Sequence, residues 1–224
     1  MQLHNVTLIS TVHKECGNCN SNELLKIIEN ICPDVIFLEA FVNNYSKYDQ
    51  MIFSQFGVCK ERLELKTIQE YSRNHTFEYV PVLDVGLSDE FETKIKIVSE
   101  NEDCQRLLDN YNSLEMEGGF QFLNSERSIV LQGEMRELEN RIINSEVMRQ
   151  KVNESMNEYE NSMLRNIYSF CKERSFDTAI FMCGAAHRKS IIENIKEYEI
   201  SSVIKLNWTF YNGGNEVLPN DERQ

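Results

Sequence analysis

Three short runs in this chain are apolar at nearly every position: Val6-Thr7-Leu8-Ile9-Ser10, Val35-Ile36-Phe37-Leu38 and Ala179-Ile180-Phe181-Met182. A strand with no polar face has to be covered on both sides, which is the situation of a parallel sheet with helices above and below it. Residues 77–83 read as a further strand, and Pro81 within it lacks a backbone donor, which predicts an edge position or a bulge. Residues 202–210 read as a closing strand. Between the first two runs, Asn20 or Ser21 can cap a helix with Glu23 in its first turn and Leu24, Leu25, Ile27, Ile28 and Ile31 on its apolar side; Pro33-Asp34 stops it. Residues 61–73 and 189–198 read as helices too. Strands alternating with helices predict an α/β fold with a mostly parallel sheet and helices on both faces.

Residues 90–174 break this rhythm. They are strongly charged, contain no proline and are interrupted at Gly118-Gly119. Met148, Val152, Met156, Tyr159, Met163, Ile167 and Phe170 then recur at steps of three and four, one face of a long amphipathic helix. Such a stripe either faces the core or forms the seam of a homodimer. We read residues 1–224 as a single α/β domain, with 90–174 as a mainly helical insertion or layer and 213–224 as a frayed polar tail.

Composition narrows the function classes. With 41% hydrophobic and 26% charged residues, 224 residues suffice for one ordinary globular domain. Lys+Arg 23 against Asp+Glu 36 gives a net charge of −13, which argues against a nucleic-acid backbone or an anionic membrane as partner. No apolar run approaches the roughly 20 residues of a membrane span, and the first residues carry no basic region or long apolar stretch. The expectation is a cytoplasmic protein. Seven cysteines, odd in number and scattered, do not suggest a disulfide frame. Cys32 and Cys171 read as small core residues.

Open α/β sheets bind ligands beyond the carboxyl ends of their strands. After the first strand come Thr11-Val12-His13, after the second Glu39, after the third Asp84, and after the fourth Gly184-Ala185-Ala186-His187. The chain has four histidines, and two of them fall at this one edge; His4 and His75 read as surface residues. Two imidazoles and a carboxylate (His13, His187, Glu39) can ligate a divalent metal such as Mn, Co or Zn. A metal of this kind acidifies water and polarises a carbonyl, with Glu15 or Asp84 available as general base. The alternative is that each histidine is merely hydrogen-bonded at a strand end. Arg188 and Lys189 could hold an anion at a helix start or be solvated charges. Cys16-Gly17-Asn18-Cys19, between a strand and a helix, offers a thiol oxidoreductase instead. No Gly-x-Gly-x-x-Gly or P-loop pattern supports a nucleotide.

Thr11-Val12-His13, then Pro33-Asp34-Val35-Ile36-Phe37-Leu38-Glu39, then Cys183-Gly184-Ala185-Ala186-His187 resemble the TraB/Tiki-type superfamily, which is related to the erythromycin-esterase-like proteins. That group carries two Gly-x-x-His motifs, a strand-end Glu and a helical Arg-Asp/Glu-x-x-Met pattern, to which Glu160-Asn161-Ser162-Met163 is similar. The resemblance covers roughly residues 6–40 and 155–200. It implies an α/β fold with both motif histidines and Glu39 in one pocket, beside Tyr159, Glu160 and Arg188, and a metal-dependent protease or an esterase as the activity. This chain departs from the pattern in having Ser10 for the first motif glycine and Tyr159 for the arginine. The expected function is a metal-assisted hydrolase of a peptide or small-molecule ester. The alternatives are a non-catalytic binding or regulatory protein using its long helix, and a thiol oxidoreductase through Cys16 and Cys19.

Overall fold

The computed structural model describes residues 3–41, 62–213 and 218–219. The strands are β1 (His4–Thr11), β2 (Val35–Phe41), β3 (Glu78–Leu83), β4 (Thr178–Gly184), β5 (Leu206–Phe210) and the two-residue β6 (Leu218–Pro219). The helices are α1 (Ser21–Ile31), α2 (Leu63–Tyr71), α3 (Asp89–Ser99), α4 (Glu102–Leu123), α5 (Glu126–Ile142), α6 (Glu146–Glu173) and α7 (Arg188–Ser201), with a 3₁₀ turn Ala185–His187 between β4 and α7. The sheet order is β3-β2-β4-β1-β5-β6. The first five strands are mutually parallel and β6 is antiparallel to β5. The α/β fold with a mostly parallel sheet is therefore as the apolar runs dictate. Pro81 lies in β3, the edge strand, where its missing N–H costs no ladder bond.

Alternate residues of each strand feed two cores. Val6, Leu8, Val35, Phe37, Ala179 and Phe181 pack with α6 and α7, through Met163, Leu164, Ile167, Ile191 and Ile195. Ile9, Ile36, Leu38, Ile180 and Met182 pack with α1, α2 and the end of α4, through Leu24, Ile28, Ile68, Phe120 and Leu123. Burying a side chain of this size contributes roughly 1.5–3 kcal/mol, so both faces need their helices. The connections β1–α1–β2 and β2–α2–β3 run across one face; β4, reached through α3–α6, returns to the gap between β2 and β1. This reversal puts a crevice at the carboxyl ends of β2, β4 and β1.

The apolar stripe of α6 faces inward. Val152, Tyr159, Met163 and Ile167 are buried and Phe170 packs against the same core, while Met148 and Met156 are partly buried, so most of the stripe is used within the chain. Asn20 caps α1 by accepting from the Asn22 and Glu23 N–H groups. Cys32, expected in the core, is exposed as the left-handed cap that precedes Pro33 (φ 52°); Cys171 is buried as expected. His4, expected at the surface, is buried against Phe176, its Nδ1 2.8 Å from the Phe176 carbonyl. His75 is half-buried and stacks on Tyr71. Most of the 213–224 tail, Cys59 and the start of the 61–73 helix lie outside the described residues. Among the described residues no helix is long and apolar enough to cross a membrane.

Two features tie the helical segment to the sheet. Gly119 sits inside α4 at φ 57°, ψ −146°, a conformation closed to L side chains, and a Cβ there would lie 2.9 Å from Asn18. The kink lets the Cys16–Cys19 turn dock on α4, where the Asn18 N–H donates to the Met116 carbonyl. Asn124, just past α4, accepts from the Ser10 N–H (2.7 Å) and from Arg188 Nη1 (2.8 Å), and its Nδ2 donates to the Ser10 and Phe120 carbonyls. One buried amide thus joins the end of β1 to α4 and α7. Asn124→Ala would strand the Ser10 N–H and leave Arg188 Nη1 with only its longer bond to the Ser10 hydroxyl (3.2 Å), costing about 2–4 kcal/mol in urea unfolding; a loss below about 1 kcal/mol would show that the amide's partners find other hydrogen bonds.

Candidate active site

A cavity of about 720 Å³ opens over the carboxyl edge of the sheet, lined by Thr11, His13, Glu39, Gly184 and His187 from the strand ends and by residues of α3, α4, α5, α6 and α7. The helical segment is its roof.

Glu39 is buried in β2 just past the last residue that pairs with β4. Both its oxygens are occupied. Oε1 accepts from the Tyr159 hydroxyl (2.6 Å) and Oε2 from the Gly184 N–H (2.7 Å). Burial, then the charge and hydrogen bond of Glu39, push the Tyr159 hydroxyl well above its ordinary value, so it stays a neutral donor. Where the resembled pattern has a cationic arginine, this chain uses a phenol.

His187 is buried between two carboxylates. Its Nδ1 lies 2.9 Å from Glu160 Oε1, its Nε2 3.7 Å from Glu39 Oε1, and the Tyr159 ring stacks on it with centroids 5.3 Å apart. Burial alone would discharge the imidazole. The Glu160 hydrogen bond and the charges of Glu39 and Glu160 outweigh it, so the net shift is upward, toward the charged form.

His13 is half-exposed and belongs to a second pair. Its Nδ1 lies 3.0 Å from Oε1 of Glu64, a carboxylate at the start of α2 with 1% side-chain exposure. Burial pushes the Glu64 carboxyl up, but the His13 hydrogen bond and charge, with Arg62 nearby, bring it net below its ordinary value. The Thr11 hydroxyl donates to the same oxygen at 2.9 Å. Arg62 Nη2 also lies 2.7 Å from His13 Nδ1, and that nitrogen can serve one partner at a time. With Glu64 ionised it donates to the carboxylate, which makes Nε2 the acceptor; Arg62 Nη2 also lies 3.4 Å from that Nε2, so the guanidinium flanks the ring.

The candidate residues named from sequence divide cleanly. His13, Glu39, His187 and Glu160 line the cavity, and Tyr159 bonds to Glu39. Glu15 does not reach it: hydrogen bonds from Ser21, then from Lys66, hold its carboxyl at about 2 and tie it to the start of α1. Asp84 follows the edge strand and pairs loosely with Arg165, 3.7 Å away. Neither is placed to act as a base here. Arg188 is buried and donates to Ser10, Asn124 and the Tyr211 carbonyl rather than lining the cavity. Cys19 is buried and its thiol is pushed up to about 12 by burial first and the Glu115 charge next, the reverse of an activated redox thiol.

The metal expectation meets a geometric test. Among the described residues no group of three or more His, Cys, Asp and Glu side chains is arranged to hold a metal ion. The reason is visible in the pairing: Glu39 gives its oxygens to Tyr159 and Gly184, His187 Nδ1 faces Glu160, and His13 Nδ1 faces Glu64. These residues share a cavity, but with these atoms engaged they do not offer three free donor atoms to one metal ion.

Sequence reasoning missed Glu64. Its signal was present: in α2 it falls in line with Ile68 and Tyr71, a carboxylate on a buried stripe.

No family model and no curated protein matches the chain. Among solved structures it is similar to an erythromycin esterase mutant in its open conformation, at 15% sequence identity and a TM-score of 0.27. The match covers 91% of this chain and 59% of that one, so the chain spans well under two thirds of that protein's length.

The pairing of His187 is measurable by titrating labelled histidines in NMR spectra. One imidazole should titrate above the ordinary value of 6.5, and Glu160→Gln should bring it down, because burial then acts with one counter-charge fewer. The linkage has a definite sign. With the folded value raised, this stabilisation is complete below the unfolded imidazole's value of about 6.5 and is lost as pH rises through the folded one. No histidine titrating above 6.5, or one unmoved by Glu160→Gln, would contradict the arrangement.

Proposed function

We propose that this chain is a hydrolase of an ester or amide bond, working by acid–base chemistry on two imidazoles. The observation that carries the reading is their pairing: His13 with Glu64 at 3.0 Å and His187 with Glu160 at 2.9 Å, both histidines lining one cavity at the carboxyl edge of a parallel sheet.

The two histidines suit opposite tasks. His13 is half-exposed, and its Nδ1–H is directed to an ionised carboxylate, which leaves Nε2 to take a proton from water. That water's oxygen adds to the carbonyl carbon, and the carbonyl electrons move to oxygen. His187 is shifted toward the imidazolium and stands ready to meet this developing negative charge. As the tetrahedral species collapses, the bond to the leaving group breaks and a proton passes to that group from an imidazolium. Glu64 and Glu160 position their histidines; Glu39, fixed by Tyr159 and Gly184, supplies a second negative charge beside His187.

The reading rests on no metal. A metal-assisted route, as the sequence motifs imply, is separated from it by chelation: a rate that survives dialysis against EDTA belongs to the imidazoles, and a rate lost to EDTA and restored by Mn, Co or Zn belongs to the metal.

A panel of nitrophenyl esters and anilides tests the proposal. His13→Ala and His187→Ala should each lower kcat/KM by about 10²–10⁴-fold, with circular dichroism unchanged. Glu64→Gln should lose at least about tenfold. The wild-type rate should fall on the alkaline side above pH 6.5, as His187 gives up its proton. Unchanged rates in both histidine variants would refute the assignment.

A further inference from the structure

The carboxylates lining the cavity do not all have partners within the protein. Glu39 is held by Tyr159 and Gly184, Glu160 by His187, and Glu139 by Lys94 at 2.5 Å. Glu193 is exposed to water. Glu115 is different. Projecting from α4, it is 8% exposed, it lines the cavity, and among the described residues its carboxylate makes no hydrogen bond or ion pair. Burial raises its pKa with nothing acting against it.

A largely buried carboxyl with no protein partner keeps only part of its hydration, and a cation brought to it through the cavity makes up the rest. The cations nearby are engaged elsewhere: Lys94 on Glu139, and Arg136 on the Ala186 carbonyl at 3.2 Å. The same cavity also presents apolar surface. Ile95 and Leu108 are exposed although large and hydrophobic, and Phe91, Met135 and Met156 line the wall with them. The whole chain carries −13, which in general favours a cationic ligand over an anionic one.

We infer that this part of the cavity is a subsite for a cationic amine carried on an apolar body, with the Glu115 carboxylate as its counter-ion. The apolar body lies on the Ile95, Leu108 and Met156 surface, and the ammonium donates to Glu115. The inference rests on the hydrolase reading in one respect, that it names the class of ester or amide the cavity takes: one whose acyl or alkyl portion bears a protonated amine.

Binding tests this without turnover. Phenylpropylamine, phenylpropanol and phenylpropionate share one apolar body and differ in charge. Calorimetric titration of the wild-type protein should rank the amine tightest, at least about tenfold tighter than the alcohol, with the acid weakest. In Glu115→Gln, an isosteric change, the preference for the amine over the alcohol should fall below about threefold. The variant's melting temperature should equal or exceed that of the wild type, since an unpaired buried carboxyl is gone. Equal binding of amine and alcohol by the wild type overturns the subsite, because Glu115 would then be a neutral acid. No binding of the amine also overturns it, as does a Glu115→Gln variant that keeps the preference. Failure of the hydrolase reading looks different: the amine preference would persist while no ester or amide was cleaved.

Discussion

A carboxyl group buried at the end of a parallel strand must have its oxygens satisfied by what the neighbouring strands and helices bring to it. Glu39 is that group, and much of the carboxyl edge is arranged around it. β4 supplies the Gly184 N–H to one oxygen and α6 the Tyr159 hydroxyl to the other. The same two elements carry His187 and Glu160 into place: the 3₁₀ turn after Gly184 ends on His187, and Glu160 is the next residue after Tyr159. Satisfying one buried acid therefore also builds the pair beside it, and places two negative groups around an imidazole that burial alone would leave neutral.

The helical segment makes a cavity of what would otherwise be an open strand edge. Its anchor is polar and buried, with Asn124 and Arg188 joining α4, β1 and α7. Its roof mixes amides, apolar side chains and acids, so the chamber is neither a dry core nor a surface groove. Within it, Glu160 pairs with His187 and Glu39 with Tyr159 and Gly184, while the Glu115 carboxylate has no partner among the described residues.

Much of the frame was legible because strand physics is local. Unbroken apolar runs require cover on both faces, and Pro81 marks the sheet edge. His13, Glu39 and His187 could be placed together because parallel strands bring all their carboxyl ends to one side. The partners of those residues were harder to read. Glu64 meets His13 from 51 residues away, beyond any local spacing rule, and Glu115 becomes significant only once the surrounding helices bury it. Glu15 was misplaced because a carboxylate beside a helix start can cap that helix, as it does through Ser21, rather than face the ligand. Asp84 follows the edge strand, away from the reversal of strand order where the cavity forms. The metal expectation counted the right residue types; what defeated the convergence was the side-chain pairing, which sequence spacing does not encode.

The central claim is that His13 and His187 act together on one reacting centre. A crystal structure with a bound phosphonate monoester, a stable mimic of the tetrahedral species in ester hydrolysis, tests it most directly. The account predicts the phosphonate at the carboxyl edge of β1 and β4, with its oxygens about 2.7–3.1 Å from Nε2 of both histidines. A phosphonate seated elsewhere in the cavity, or touching one histidine and not the other, would contradict it.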